Sequence, residues 1–285
     1  DSAALLNVLA HHDKLDKATD KLRRPDDYVA ELSRNGLKGA RIGVPSDPAD
    51  PGNDVYYGPL SPAARAVMER AITALQDSGA IIVRASMPTA GWIGGPGTDM
   101  AVLNRNPESP GVNTVARVPI VFLYELKHDL GLYLSDWAKG TKIRTIEDVV
   151  AFNAAHADRA LRFGQDLFLA AAATKGDLSE PEYRAARRND LLSARQRGLD
   201  VYMAAHKLDA VLFPGNSGAS IAAKAGYPSV QVPAGYVSGV AGQDTPEYPL
   251  GATFTGRAWS EGKLLRLAYA FEQATLARRM PPDLG

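Results

Sequence analysis

The sequence predicts an α/β fold, a mixed and largely parallel sheet covered by helices on both faces. Three observations carry that expectation. Ala210–Phe213, Ser229–Val232 and Gly251–Thr255 are short apolar runs with the length and β-branched content of buried strands, each punctuated by Pro or Gly. A strand–helix–strand pattern runs from Ala40 to Arg84, and a right-handed crossover makes its two strands parallel. Helical periodicity dominates residues 119–207. The strands at Ala40, Ala80, Ala210, Ser229 and Gly251 are expected in one layer, within one domain covering residues 1–285.

In chain order, Ala3–Ala10 is an apolar block without a cap, too uniformly greasy to stand alone. His11–Arg24 is polar and reads as loop, and Pro25-Asp26-Asp27 opens a short helix with Tyr28, Leu32 and Val29 turned inward. Ala40–Val44 is a strand ending at Pro45, and Ser46–Pro59 is rich in turn residues. Ser61-Pro62 supplies an N-cap and a first-turn proline. In the helix that follows, Ala64, Val67, Met68, Ala71, Ile72 and Leu75 share one face, and Gly79 stops it before the strand Ala80–Arg84.

Residues 89–118 are rich in Gly, Pro, Asn and Thr, lack periodicity and read as a long surface loop whose apolar Trp92-Ile93 tip is a candidate lid. No phosphate-binding glycine pattern occurs there. Val121, Tyr124, Glu125, His128 and Leu132 recur at helical spacing, Thr145 caps a helix Ile146–His156, and Pro181 opens a long helix reaching to about His206. The arginines of that last helix alternate with Glu and Asp and read as a solvated face. Glu125 and Gln165 are polar residues in apolar surroundings, for which two readings stand open: a pocket wall or a structural hydrogen bond.

Composition excludes several function classes. With 45% apolar and 22% charged residues the chain is ordinary for a globular domain, and no apolar run approaches the ~20 residues of a membrane-spanning helix. Lys plus Arg and Asp plus Glu both number 32, so no broad attraction to nucleic acid or anionic membranes is expected. The absence of cysteine removes disulfides, iron–sulfur ligation and thiol nucleophiles. His11-His12 are adjacent and the other histidines show no paired ligand spacing, so no metal site is predicted. Localisation is left open by these features.

Gly215-Asn216-Ser217-Gly218-Ala219-Ser220 follows a strand's carboxyl end, the usual ligand crevice of open α/β sheets, and is the best candidate site. It falls one residue short of a G-x-S-x-G nucleophile elbow, and no histidine follows His206 to complete a triad. Ser220 and Lys224 are four apart, the spacing of a helical serine–lysine pair, which would need a buried, neutral lysine.

The loop Pro214-Gly215-Asn216-Ser217-Gly218, the run Gly226-Tyr227-Pro228-Ser229-Val230-Gln231-Val232-Pro233 and the helix beginning Ser260-Glu261-Gly262-Lys263 together resemble the C-terminal end of amidase signature enzymes. Asp1-Ser2-Ala3-Ala4-Leu5-Leu6, Leu37–Pro45 and Ser61–Val83 agree in the same order. Tyr124-Glu125-Leu126-Lys127, Phe152-Asn153, Phe163-Gly164-Gln165 and Leu178-Ser179 look most similar to the peptide-amidase-like branch. The resemblance implies carboxamide hydrolysis through a serine acyl-enzyme, without a cofactor, on a small amide or peptide-amide substrate. In that family a lysine, a bridging serine and the nucleophilic serine precede the helix with which this chain opens. No Gly-Gly-Ser-Ser-Gly run occurs here, so the chain resembles roughly the last three-fifths of such an enzyme, without its nucleophile, and is expected to be inactive alone. Its expected role is scaffold and pocket walls: Asn216 and Ser217 by position, Tyr124, Phe163 and Gln165 on weaker grounds. A partner is expected over Leu5, Leu6 and Leu9, either an upstream segment of the same polypeptide, another copy or a second chain. The alternative is a non-catalytic scaffold or partner subunit. The amidotransferase branch that works on charged tRNA is the least supported reading, because the helix from Pro181 lacks that branch's F-G-x-E-V-x-R-R pattern.

Overall fold

A computed structural model describes residues 1–23, 25, 27–89, 100–104, 115–238 and 247–280. The chain divides into two compact units, one made of Asp1–Ile93 with Leu192–Gly285 and the other of Gly94–Leu191.

In the first unit, α1 (Ser2–Leu9) has Asp1 at its N-cap without a side-chain bond. Leu5, Val8 and Leu9 are exposed, while Ala3 and Leu6 pack with Tyr28 and Leu265. The helix expected after Pro25 is a turn. Asp27 accepts the Val29 N–H and Asn7 accepts the Tyr28 N–H, so side chains take amides that a first helical turn would leave free. Tyr28 is buried and Leu32 half-buried, but Val29 faces out.

Strands β1 (Arg41–Val44) and β2 (Ile81–Arg84) flank α2 (Pro62–Asp77). Ser61 accepts the Ala64 N–H, and the residues α2 buries are Ala64, Val67, Met68, Ala71, Ile72 and Leu75, the face read from spacing. The second unit begins its described part with β3 (Met100–Asn104) and β4 (Val115–Pro119), paired antiparallel. The stretch read as loop therefore carries a strand pair. Apart from Thr89, its remaining residues, including Trp92 and Ile93, lie outside the described ones. Helices α3 (Ile120–Asp136), α4 (Ile146–Ala155), α5 (Ala157–Ala160), α6 (Asp166–Ala172) and α7 (Pro181–Leu191) follow. On α3 the buried leucines are Leu123 and Leu134, and Leu132 is exposed.

Thr145 and Asp148 form a reciprocal capping box at the start of α4. Replacing Thr145 with Ala leaves the Asp148 amide without its acceptor and is expected to lower stability by about 1 kcal/mol. Thermal unfolding checks this, and a Thr145→Ser variant should regain most of the loss.

The long helix expected from Pro181 to about His206 is broken. After α7 the chain enters a π-type segment, Leu192–Leu199, whose Gly198 leaves helical geometry, and resumes as α8 (Asp200–Ala205). The Thr89 hydroxyl donates to the Ser193 carbonyl at 2.8 Å, and a Cβ on Gly198 would collide with that carbonyl oxygen. A side chain inserted into the helical ladder is a recognised cause of such kinks.

Strands β5 (Ala210–Pro214), β6 (Ser229–Val237) and β7 (Tyr248–Thr255), with α9 (Ala219–Ala225) and α10 (Glu261–Thr275), complete the first unit. Among the described residues its sheet is five-stranded, in the order β2-β1-β5-β7-β6. Pairing is parallel for β1 with β2 and β5, antiparallel for β7 with β5 and β6, so four strands run one way and β7 opposes them. The sheet is mixed and largely parallel, flanked by helices, as expected. Phe254 turns toward Phe271 of α10, ring to ring at 6.0 Å, so its neighbour Thr253 faces the other side of the sheet.

Candidate functional site

At the carboxyl end of β5 the chain makes a tight turn. Gly215 adopts the left-handed conformation, φ 52°, which glycine enters without steric penalty. Its N–H donates to the Gly251 carbonyl at 2.8 Å, the Ser217 N–H donates to Pro214 and the Ala219 N–H to Asn216. Asn216 and Ser217 are thereby presented to solvent at the rim of the sheet, as their sequence position suggests. The turn is further held by Thr253, whose hydroxyl lies 2.5 Å from the Gly215 carbonyl oxygen and 2.9 Å from the Gln231 side-chain amide. Gln231 and Thr253 escaped the sequence reading. Their signal was there: each is a polar residue inside an apolar strand run.

Ser217 is no elbow nucleophile. His206 lies just before β5 and Ser217 just after it, so a five-residue strand, roughly 16 Å, separates them. The His206 ring instead meets Tyr202 edge-on at 5.2 Å. Ser220 is exposed and Lys224 half-buried on α9.

The sequence-selected residues of the second unit have structural partners. Tyr124 donates to Glu182 at 2.7 Å, and that carboxylate, aided by partial burial, pushes the phenol up to about 12. Tyr183 donates to Glu125 at 2.8 Å; burial and then the same kind of hydrogen bond push it up to about 12 as well. The Glu125 carboxylate is also 3.9 Å from Arg187. Glu125 thus accepts a structural hydrogen bond. Gln165 stands at the N-cap of α6, accepting from Asn153 at 3.4 Å and donating toward the Val150 carbonyl at 3.5 Å. Phe163 is 69% exposed, with the Arg162 guanidinium 5.4 Å from its ring centre.

Two concave clefts of the first unit lie at the other end of its sheet. One, about 270 Å³, is lined by Lys207, Asp209, Arg257, Ser260 and Lys263. The other, about 550 Å³, is lined by Arg195, Tyr227, Trp259 and Glu261. Four of their charged groups, Lys263, Asp209, Arg257 and Arg195, are engaged within the fold. Lys263 pairs with Asp209 at 2.8 Å, Arg257 donates to the Asp200 carbonyl, and Arg195 caps α9 through the Ala225 carbonyl at 2.6 Å. Among the described residues no group of three or more His, Cys, Asp or Glu side chains is placed to hold a metal, and no helix is long and apolar enough to cross a membrane.

A five-stranded mixed sheet ending in a glycine turn is compatible with many chemistries, and comparison with known proteins narrows them. No family model matches the chain. A protein described as a probable amidase from Arabidopsis thaliana is 31% identical over 290 residues, covering 99% of this chain. The native peptide amidase from Stenotrophomonas maltophilia superposes with a TM-score of 0.75 at 34% identity, again over 99% of this chain. The chain is homologous to the amidase-signature enzymes. An amidase family protein from Bacillus anthracis agrees, with a TM-score of 0.72 and 27% identity over the whole chain. The chain spans about half the length of these amidases: 48% of the Arabidopsis protein, 53% of the peptide amidase and 48% of the Bacillus protein. That is somewhat less than the three-fifths its motifs suggested.

Proposed function

We propose that this chain is the C-terminal part of an amidase that hydrolyses a small amide or peptide amide through a serine acyl-enzyme, and that it supplies scaffold and substrate-pocket walls rather than the nucleophile. The observation that carries this reading is similarity along nearly the whole chain to only about half of each amidase. Asn216 and Ser217, exposed on the turn after β5, are proposed to face the substrate. Tyr124, Phe163 and Gln165 keep a proposed substrate-facing role on their own unit, where Phe163 presents the most accessible ring of the three. The attacking group, its lysine base and the oxyanion donors belong to the segment that precedes α1 in the family. Leu5, Val8 and Leu9, exposed on α1, are the proposed contact with it.

The alternative of a non-catalytic scaffold is favoured by one observation, the lack of a Gly-Gly-Ser-Ser-Gly run anywhere in the chain. Coexpression with the upstream half of the peptide amidase fold separates the two. Under the proposed function the halves copurify and release ammonia from a peptide amide, and a Leu5→Asp, Leu9→Asp double variant loses both properties. A stable pair with no amide hydrolysis would favour the scaffold.

A further inference from the structure

The contacts around Thr253 contain a contradiction whose resolution assigns a role to two residues. A threonine hydroxyl carries one proton. Thr253 Oγ1 lies within hydrogen-bond reach of two oxygens, the Gly215 carbonyl at 2.5 Å and Gln231 Oε1 at 2.9 Å. It cannot donate to both. The Gly215 carbonyl oxygen can only accept, so the hydroxyl proton belongs to that contact. The glutamine amide is free to turn over and offer its NH2 instead of its oxygen. Only that orientation gives every contact a proton.

Gly251 shows that the amide is seated there. A Cβ at that position would come within 2.5 Å of Gln231 Cδ and Nε2, so the side chain lies directly against the glycine backbone. Gln231 and Thr253 are also direct partners in the β6–β7 register, and Thr253 is in turn the partner of Phe213 on β5. The three strands thus converge on one peptide group.

We propose that Gln231 and Thr253 form a directed relay, Gln231 Nε2–H to Thr253 Oγ1 and Thr253 O–H to the Gly215 carbonyl, and that they act as positioning residues for Asn216 and Ser217. The role in substrate positioning rests on the function proposed above; the relay itself does not. Gly215 sits in a conformation from which glycine departs easily, so the turn keeps its shape because both its N–H and its C=O are held by β7. The relay holds the second of these.

Backbone amide NMR of the 285-residue chain tests the relay without any assay of activity. Thr253→Val keeps the side-chain shape and removes the hydroxyl, and should shift the Asn216 and Ser217 resonances while leaving the capping-box amide of Asp148 unmoved. Thr253→Ser should restore them. Gln231→Glu reads the direction of the relay: an ionised carboxylate only accepts, so it draws the Thr253 proton away from Gly215 and should reproduce the Thr253→Val shifts. If Thr253→Val moves neither resonance, or if Gln231→Glu matches the wild type, the relay is wrong. In the chain paired with an upstream catalytic half, Thr253→Val should raise KM about tenfold with kcat changed by less than about twofold, the scale of one hydrogen bond's worth of positioning. A pair whose wild type hydrolyses no amide refutes the proposed function, and the NMR result then decides the relay alone. Unchanged KM in an active pair, with the shifts present, overturns the positioning role.

Discussion

Purified residues 1–285 are expected to hydrolyse a simple amide no faster than buffer, and a fluorophosphonate probe should label no serine. Acyl transfer needs a nucleophile activated by a base, and removing such a group from a comparable hydrolase lowers turnover by about 10⁶-fold. The serines nearest to a recognisable pattern, Ser217 and Ser220, are both exposed, and the histidine that could serve Ser217 lies beyond the opposite end of β5. Robust labelling of either serine, or amide turnover that survives extensive repurification, would contradict the proposed division of labour. The effect expected is larger than that of any single substitution, because it concerns the whole catalytic apparatus.

The largest effect on stability should come from Phe254→Ala. Phe254 is fully buried in β7, registers with Leu212 on one side and Val230 on the other, and meets Phe271 edge-to-face. Truncating a buried phenylalanine removes its transfer free energy and leaves a cavity, together about 3–5 kcal/mol. That is a large share of the ~5–15 kcal/mol that typical domains possess. Urea unfolding should show a lower midpoint at unchanged slope. Phe163→Ala, at an exposed position, should change stability by about 0.5 kcal/mol or less. Equal losses at the two positions would show that the core has been misplaced.

The regular parts of the fold were legible because their signals are local. The α2 face from Ala64 to Leu75, the Ser61 and Thr145 caps and the five strand starts follow from periodicity and capping chemistry, and the structure places each within a few residues. Less legible features depend on distant partners. The break at Gly198 is accompanied by a hydrogen bond from Thr89, more than a hundred residues earlier in the chain, and the periodicity of residues 181–206 runs through it unbroken. The β3–β4 pair was missed because Gly and Pro around it obscured two five-residue strands. At the turn after β5, position alone pointed to Asn216 and Ser217, whereas Gln231 and Thr253 gained meaning only when three strands came into register. Glu125 and Gln165 stood out as polar residues in apolar surroundings, but the sequence could not distinguish a group awaiting substrate from one already hydrogen-bonded.

The two phenol–carboxylate pairs of the helical unit, Tyr124 with Glu182 and Tyr183 with Glu125, make that unit sensitive to alkali. Each phenol is raised to about 12 in the folded chain, against about 10 for an ordinary tyrosine. Below pH 10 the phenols hold their protons whether the chain is folded or not, and the pairs contribute in full. As pH rises from 10 to 12 the unfolded chain releases those protons first, so equilibrium is drawn toward it, and the contribution is gone once the folded phenols ionise as well. Ultraviolet titration at the tyrosinate band should therefore show a late-ionising fraction that shrinks by two tyrosines in Tyr124→Phe, Tyr183→Phe, the remainder being Tyr227 and the buried Tyr56, Tyr57 and Tyr202 of the other unit. The thermal midpoint of the helical unit should fall across the same interval in the wild type and less in that variant. An alkaline limit set by two hydroxyl protons would be a property of these helices alone, independent of what the turn after β5 does.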